Sequence, residues 1–173
     1  MNQRRSTPAS RMALGGVLAA VAVVIMSLGG LIPVATYVCP MLCAVLLQVV
    51  LMTCGKRVAW AWYGAVAILS LLLVSDREAA WVFVFLGYYP LVKPWLDRRK
   101  LPFLWKGLLF NGSVLILYTL LLSVLGLPEL QSEFAGMGRV LLILLVVIGN
   151  VSFFLLDRVL EKPFFGKLGR YGG

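Results

Sequence analysis

Six runs of about twenty apolar residues, parted by short charged or Gly/Pro breaks, constrain this chain more than any other feature. They cover residues 11–32, 35–54, 58–74, 79–95, 103–125 and 138–160. Each is near the length a helix needs to cross a ~30 Å hydrocarbon core. The breaks are Gly29 to Pro33, Gly55-Lys56-Arg57, Ser75 to Glu78, Asp97 to Lys100, and Pro128 to Gly136. A span in lipid must satisfy its own backbone, and no period-2 alternation marks the strands of a barrel. The expected fold is an all-α membrane protein, a compact bundle of six transmembrane helices. It forms a single domain over 1–173, with basic tails at 1–10 and 161–173. Composition agrees: 61% of the 173 residues are hydrophobic and 13% charged, where a soluble domain has about 45–50% and about 25%. The run from Met12 exceeds a signal-peptide core and precedes no A-x-A site, so it reads as a retained first span.

Charge sets the expected orientation. With the N-terminus inside, the inner segments carry Arg4, Arg5 and Arg11; Lys56 and Arg57; Lys93, Arg98, Arg99, Lys100 and Lys106; and Arg158, Lys162, Lys167 and Arg170. That is fourteen of the sixteen basic residues. Cytoplasmic loops are enriched in Lys and Arg, so both termini are expected inside. The outer loops hold Asp76, Glu78, Glu129 and Glu133. The net charge of +9 sits between apolar runs and has no soluble face to occupy, which excludes nucleic acid as a partner.

Catalytic material is thin. The chain has no histidine, and its seven carboxylates fall near helix ends or in loops. Gly136-Met137-Gly138-Arg139 is not a phosphate cradle, and Gly112-Ser113 lacks the flanks of a nucleophile elbow. Cys39, Cys43 and Cys54 have no second pair to complete a metal site and read as small apolar helix residues. No enzyme activity, metal or cofactor is expected.

Uncharged polar groups remain inside the spans. Tyr88 and Tyr89 lie ~14 Å from the outer end of span four, Asn111 ~12 Å from the inner end of span five, Asn150 ~18 Å and Gln48 ~20 Å from the outer ends of theirs. An unpaired amide in lipid is costly, so these side chains should face inward. They either tie helices together or line a pocket for a small, largely apolar molecule, with Trp81 at its outer mouth. Pro90 removes a backbone donor and crowds the Leu86 carbonyl, so span four should kink at Leu86–Tyr89, eased by Gly87. A tyrosine hydroxyl, an asparagine amide or a ligand would meet the freed carbonyls. Lys93 is expected to snorkel to the inner face, Trp60 and Trp62 to sit in an inner aromatic belt, and Asp157 to pair with Lys93 or Lys106.

Span one opens Arg11-Met12-Ala13-Leu14-Gly15-Gly16, and pairs Gly15 with Ala19 and Gly16 with Ala20 at four-residue spacing. Such spacing lets another helix approach closely, in this chain or a partner. This basic residue, the small-residue-rich stretch after it and the following Pro-containing turn resemble the start of substrate-binding (S) subunits of energy-coupling factor transporters. Later stretches such as Phe85 to Lys93 and Gly149 to Leu160 are similar to an uncharacterised bacterial six-span family. The resemblance implies a protein of the bacterial cytoplasmic membrane that captures a micronutrient from outside. It also implies docking, through Gly15, Gly16, Ala19 and Ala20, on a transmembrane coupling subunit driven by ATPases. Consistently, the chain has no Walker motif. Trp81, Tyr88, Tyr89, Asn111 and Asn150 would then line the ligand site. The alternative is a non-catalytic membrane scaffold without ligand.

Overall fold

The computed structural model describes residues 8–28, 35–123, 136 and 138–161. Its elements are α1 (Pro8–Leu28), α2 (Ala35–Cys54), α3 (Lys56–Leu73), α4 (Arg77–Leu86), α5 (Tyr89–Leu96), α6 (Pro102–Ser123) and α7 (Arg139–Glu161). The expected tails lie outside the described residues except for 8–10, which open α1, and Glu161, which closes α7. So do the turn at 29–33 and, apart from Gly136, the Pro128–Gly136 loop.

Among the described residues, five helices are long and apolar enough to cross a membrane: Ala9–Leu28, Ala35–Cys54, Lys56–Leu73, Pro102–Ser123 and Ile143–Leu160. Twenty helical residues rise ~30 Å, the thickness of the hydrocarbon core. Their outer faces are bare aliphatic surface: Leu72 is 74% exposed and Leu115 70%. Water would drive such faces together, whereas lipid tails cover them without penalty. The chain is therefore built as a multi-pass membrane protein.

The fourth apolar run is not one continuous helix. α4 ends at Leu86 and α5 begins at Tyr89, and neither is long enough to span alone. The break has two local causes. Pro90 has no N–H with which to continue the ladder, and its ring crowds the preceding turn. Gly87 is a tight site: a Cβ there would lie 2.5 Å from the Phe83 carbonyl oxygen and 2.6 Å from the fully buried Phe83 ring. The other end of α4 is capped by Asp76, whose Oδ1 accepts from the Ala79 N–H at 3.0 Å. Its Oδ2 accepts from the Thr36 hydroxyl at 2.8 Å, and Tyr37 donates to Glu78 at 2.9 Å, so the start of α2 is tied to the start of α4.

Contacts group the chain into two compact units, 1–94 with 160–173, and 95–159. The core of the first contains Ala22, Met26, Cys43, Leu47, Val66 and Phe83. Small residues let α1 sit close to α2 and α3. Trp62 Nε1 donates to the Gly15 carbonyl at 3.0 Å, Cys54 Sγ to that of Arg11 at 3.1 Å, and Cys43 Sγ to that of Ala22 at 3.5 Å. The three cysteines are free thiols used as small helix-packing groups. In the second unit α6 and α7 run antiparallel, since Lys106 meets Asp157, Phe110 meets Phe153 and Asn111 meets Asn150. The Phe110–Phe153 rings stack at 4.6 Å, as do Phe103 and Phe154.

Replacing Gly87 by Ala should cost about 1–3 kcal/mol by overpacking Phe83. Thermal melting of the purified variant in detergent should show the loss, while Gly64→Ala, where a Cβ meets open space, should leave the midpoint unchanged.

Candidate functional site

The first unit gathers aromatic and polar groups around the break between α4 and α5. Tyr63, on α3, donates its hydroxyl to the Val84 carbonyl just before the break. Its ring packs against Phe83 at 5.7 Å and edge-on to Tyr88 at 6.2 Å. A tyrosine hydroxyl thus meets a carbonyl near the interruption, one of the three ways a broken span can be satisfied. Tyr63 was not singled out in the sequence, where it is one of three aromatics in four residues behind Lys56-Arg57. Tyr88 is half-buried and Tyr89 fully buried. Trp81 is half-buried, with its ring 6.3 Å from that of Phe85.

Lys93 does not snorkel. It is buried, with Nζ 5.9 Å from the centre of the Tyr89 ring. Because α5 starts at Tyr89, Lys93 lies one turn along on the same face, and the ring holds its chain in place. Trp62 also departs from the expected interface belt: it is buried against Gly15, while Trp60 stays exposed.

Among the described residues of this unit, two oxygens are buried with no hydrogen-bond partner: Gln48 Oε1 on α2 and Ser70 Oγ on α3. Leaving a buried polar group unmatched costs about 1–3 kcal/mol. Gln48 belongs to the mid-depth layer expected from the sequence; Ser70 carried no signal there, being one hydroxyl in a run of leucines.

The second unit treats its polar groups differently. Asn111 and Asn150 form a closed amide pair. Nδ2 of Asn111 donates to Asn150 Oδ1 at 2.9 Å, and Nδ2 of Asn150 returns a bond to Asn111 Oδ1 at 3.1 Å. The second proton of each amide goes to a carbonyl one turn back, Gly107 at 2.8 Å and Val146 at 2.9 Å. All four N–H donors are used within the pair and its own helices. Asn111 is exposed on the bundle, and this closure lets an amide stand in lipid without an outside donor or acceptor.

About a turn and a half nearer the start of α6, Lys106 is 5% exposed and lies between two carboxylates, Asp97 at 2.6 Å and Asp157 at 2.9 Å. Of the two lysines the sequence offered Asp157, the antiparallel register of α6 and α7 brings Lys106 to it. Asp97 joins because it sits in the short α5–α6 connection. Among the described residues no group of three or more His, Cys, Asp or Glu is placed to hold a metal ion.

The expected docking residues divide by face. Gly15 is buried and Ala19 packs on the core of the first unit, so that pair serves contacts within the chain. Gly16 and Ala20 are exposed, and nothing lies within 4 Å of a Cβ built on Gly16. Comparisons with protein-family models, curated proteins and solved structures find no match.

Lys106→Met removes the cation between Asp97 and Asp157 and should destabilise the protein by up to about 3–5 kcal/mol, reduced because Asp97 is partly solvated. Adding Asp157→Asn should recover part of that loss in the same melt. Asn111→Leu and Asn150→Leu should each cost about 0.6–2 kcal/mol. The double variant should cost clearly less than the two single losses combined, because the first substitution has already broken the pair.

Proposed function

We propose that this chain is the substrate-capture membrane subunit of an energy-coupling-factor-type importer. It takes a small molecule from the outer side and delivers it by docking on a transmembrane coupling subunit driven by ATPases. In this reading α4 and α5 together form a broken fourth span among six, and both termini lie in the cytoplasm of a bacterium. The distribution of Lys and Arg supports that orientation.

The observation that carries the proposal is that two buried oxygens, Gln48 Oε1 and Ser70 Oγ, have no partner among the described residues. By contrast, every amide proton of Asn111 and Asn150 is used within their own two helices. Acceptors left open in an otherwise apolar core are where a ligand with one or two N–H or O–H donors gains most. The exposed Gly16–Ala20 face of α1 supports the docking half of the reading, since small residues allow a partner helix to come close.

A second reading has its own observation. The closed Asn111–Asn150 pair ties two helices together and leaves no donor for a substrate, as a ligand-free scaffold would require.

Gln48→Leu separates the two. An open acceptor that serves only a ligand can be replaced by an apolar group at little loss or a small gain in apo stability. The variant is expected to melt no lower than wild type, while losing the thermal stabilisation that an extract of growth medium confers on wild type. Equal stabilisation of both proteins would remove Gln48 from the site. Gly16→Leu with Ala20→Leu should abolish co-purification of a coupling subunit and ATPases without changing the melt; undiminished co-purification would place docking elsewhere.

A further inference from the structure

A second binding feature lies in the unit formed by 95–159, which contains neither Gln48 nor Ser70. An open groove of about 570 Å³ follows α7 from Val146 to Arg158. Twelve residues of helix rise ~18 Å, close to the ~15 Å depth of one leaflet. Val147, Val151 and Phe154 form its length, with Phe103 of α6 on its other side. The Phe103–Phe154 stack at 4.6 Å fixes that wall. The aliphatic residues along it are open, Val147 and Val151 each 55% exposed.

Asn150 lies midway along the groove with its amide closed on Asn111, and charge enters at one end. Arg158 stands there, exposed, and among the described residues it makes no ion pair. Its neighbour Asp157 is buried and engaged by Lys106, so it leaves Arg158 to act outward. The same end of the α6–α7 pair begins with exposed Arg98, Arg99 and Lys100. Arg99 lies 4.1 Å from the Trp95 ring and 5.4 Å from that of Trp105. Indole rings stacked with a guanidinium mark the headgroup level of a bilayer. A slot of leaflet depth, apolar along its length and cationic at the headgroup end, has the charge and shape of one molecule class.

We propose that this groove is a site for an anionic phospholipid, with the phosphate at Arg158 and an acyl chain along Val147, Val151 and Phe154 against Phe103. Arg158 supplies the preference for negative charge and the groove holds the tail. The site stands whether or not the chain is an importer subunit: of the residues expected at the capture site it borders Asn150, whose amide is already closed on Asn111, and it uses neither Gln48 nor Ser70.

Native mass spectrometry of the full chain in detergent, titrated with dioleoyl phosphatidylglycerol or dioleoyl phosphatidylcholine, tests it. Wild type should bind one phosphatidylglycerol about fivefold more tightly than phosphatidylcholine, as ~1 kcal/mol per interfacial cation implies. Arg158→Gln should erase that preference and Arg158→Lys should keep it. Val151→Trp, which fills the groove, should weaken both lipids. Glycerol phosphate alone should give no adduct, since the tail is half of the recognition. Equal binding of the two lipids by wild type overturns the proposal, as does a preference that survives Arg158→Gln. A dimer without lipid that Val151→Trp dissociates would make this face a contact between copies and also overturn it. Arg158 is exposed, so its variants should fold; should they not, the wild-type comparison of the two lipids still decides.

Discussion

Hydrocarbon offers a polar group no hydrogen bond, and this structure is organised by that lack. Backbone groups find partners in helices, which is why the apolar runs have no other fold open to them. Side chains have no such default. Each amide, hydroxyl or ammonium inside a span must be matched by something on the same or a facing helix, or by a bound molecule.

The two units meet this constraint differently. In the second, Lys106 is held by two aspartates and the two asparagines close on each other and on the turns behind them. Stacked phenylalanines lie beside both sets. In the first, a broken helix is met by the hydroxyl of Tyr63, yet Gln48 and Ser70 keep buried oxygens open. That contrast directs the capture reading to α2 and α3, a shift from the asparagines that a reading of depth alone puts forward.

The sequence made the helices legible and their rotations illegible. An apolar run between the Gly29–Pro33 break and Gly55-Lys56-Arg57 gives α2 its limits to the residue, and Pro90 with Gly87 foretells the break after Leu86. Equal depth brought Asn111 and Asn150 to attention, but depth does not say that two amides will face one another. Rotation is hidden because a helix apolar on all sides has no periodic stripe to mark its inner face. Gly15 and Gly16 show the consequence. Both begin a four-residue pair with an alanine, and a turn of about 100° puts one against Trp62 and leaves the other bare. Lys93 was misplaced for a related reason: its proximity to a helix end favoured water, whereas the start of α5 at Tyr89 aligned it with an aromatic face. Ser70 gave no sign at all among leucines.

Gentle extraction of the wild-type chain from its own membrane, followed by denaturation and mass spectrometry of everything released, is the most direct test of the open acceptors. One polar small molecule in stoichiometric amount, distinct from lipid and missing from Gln48→Leu protein prepared in parallel, is the expected result. A wild-type chain that releases lipid alone, with the same yield and melt as the variant, contradicts it.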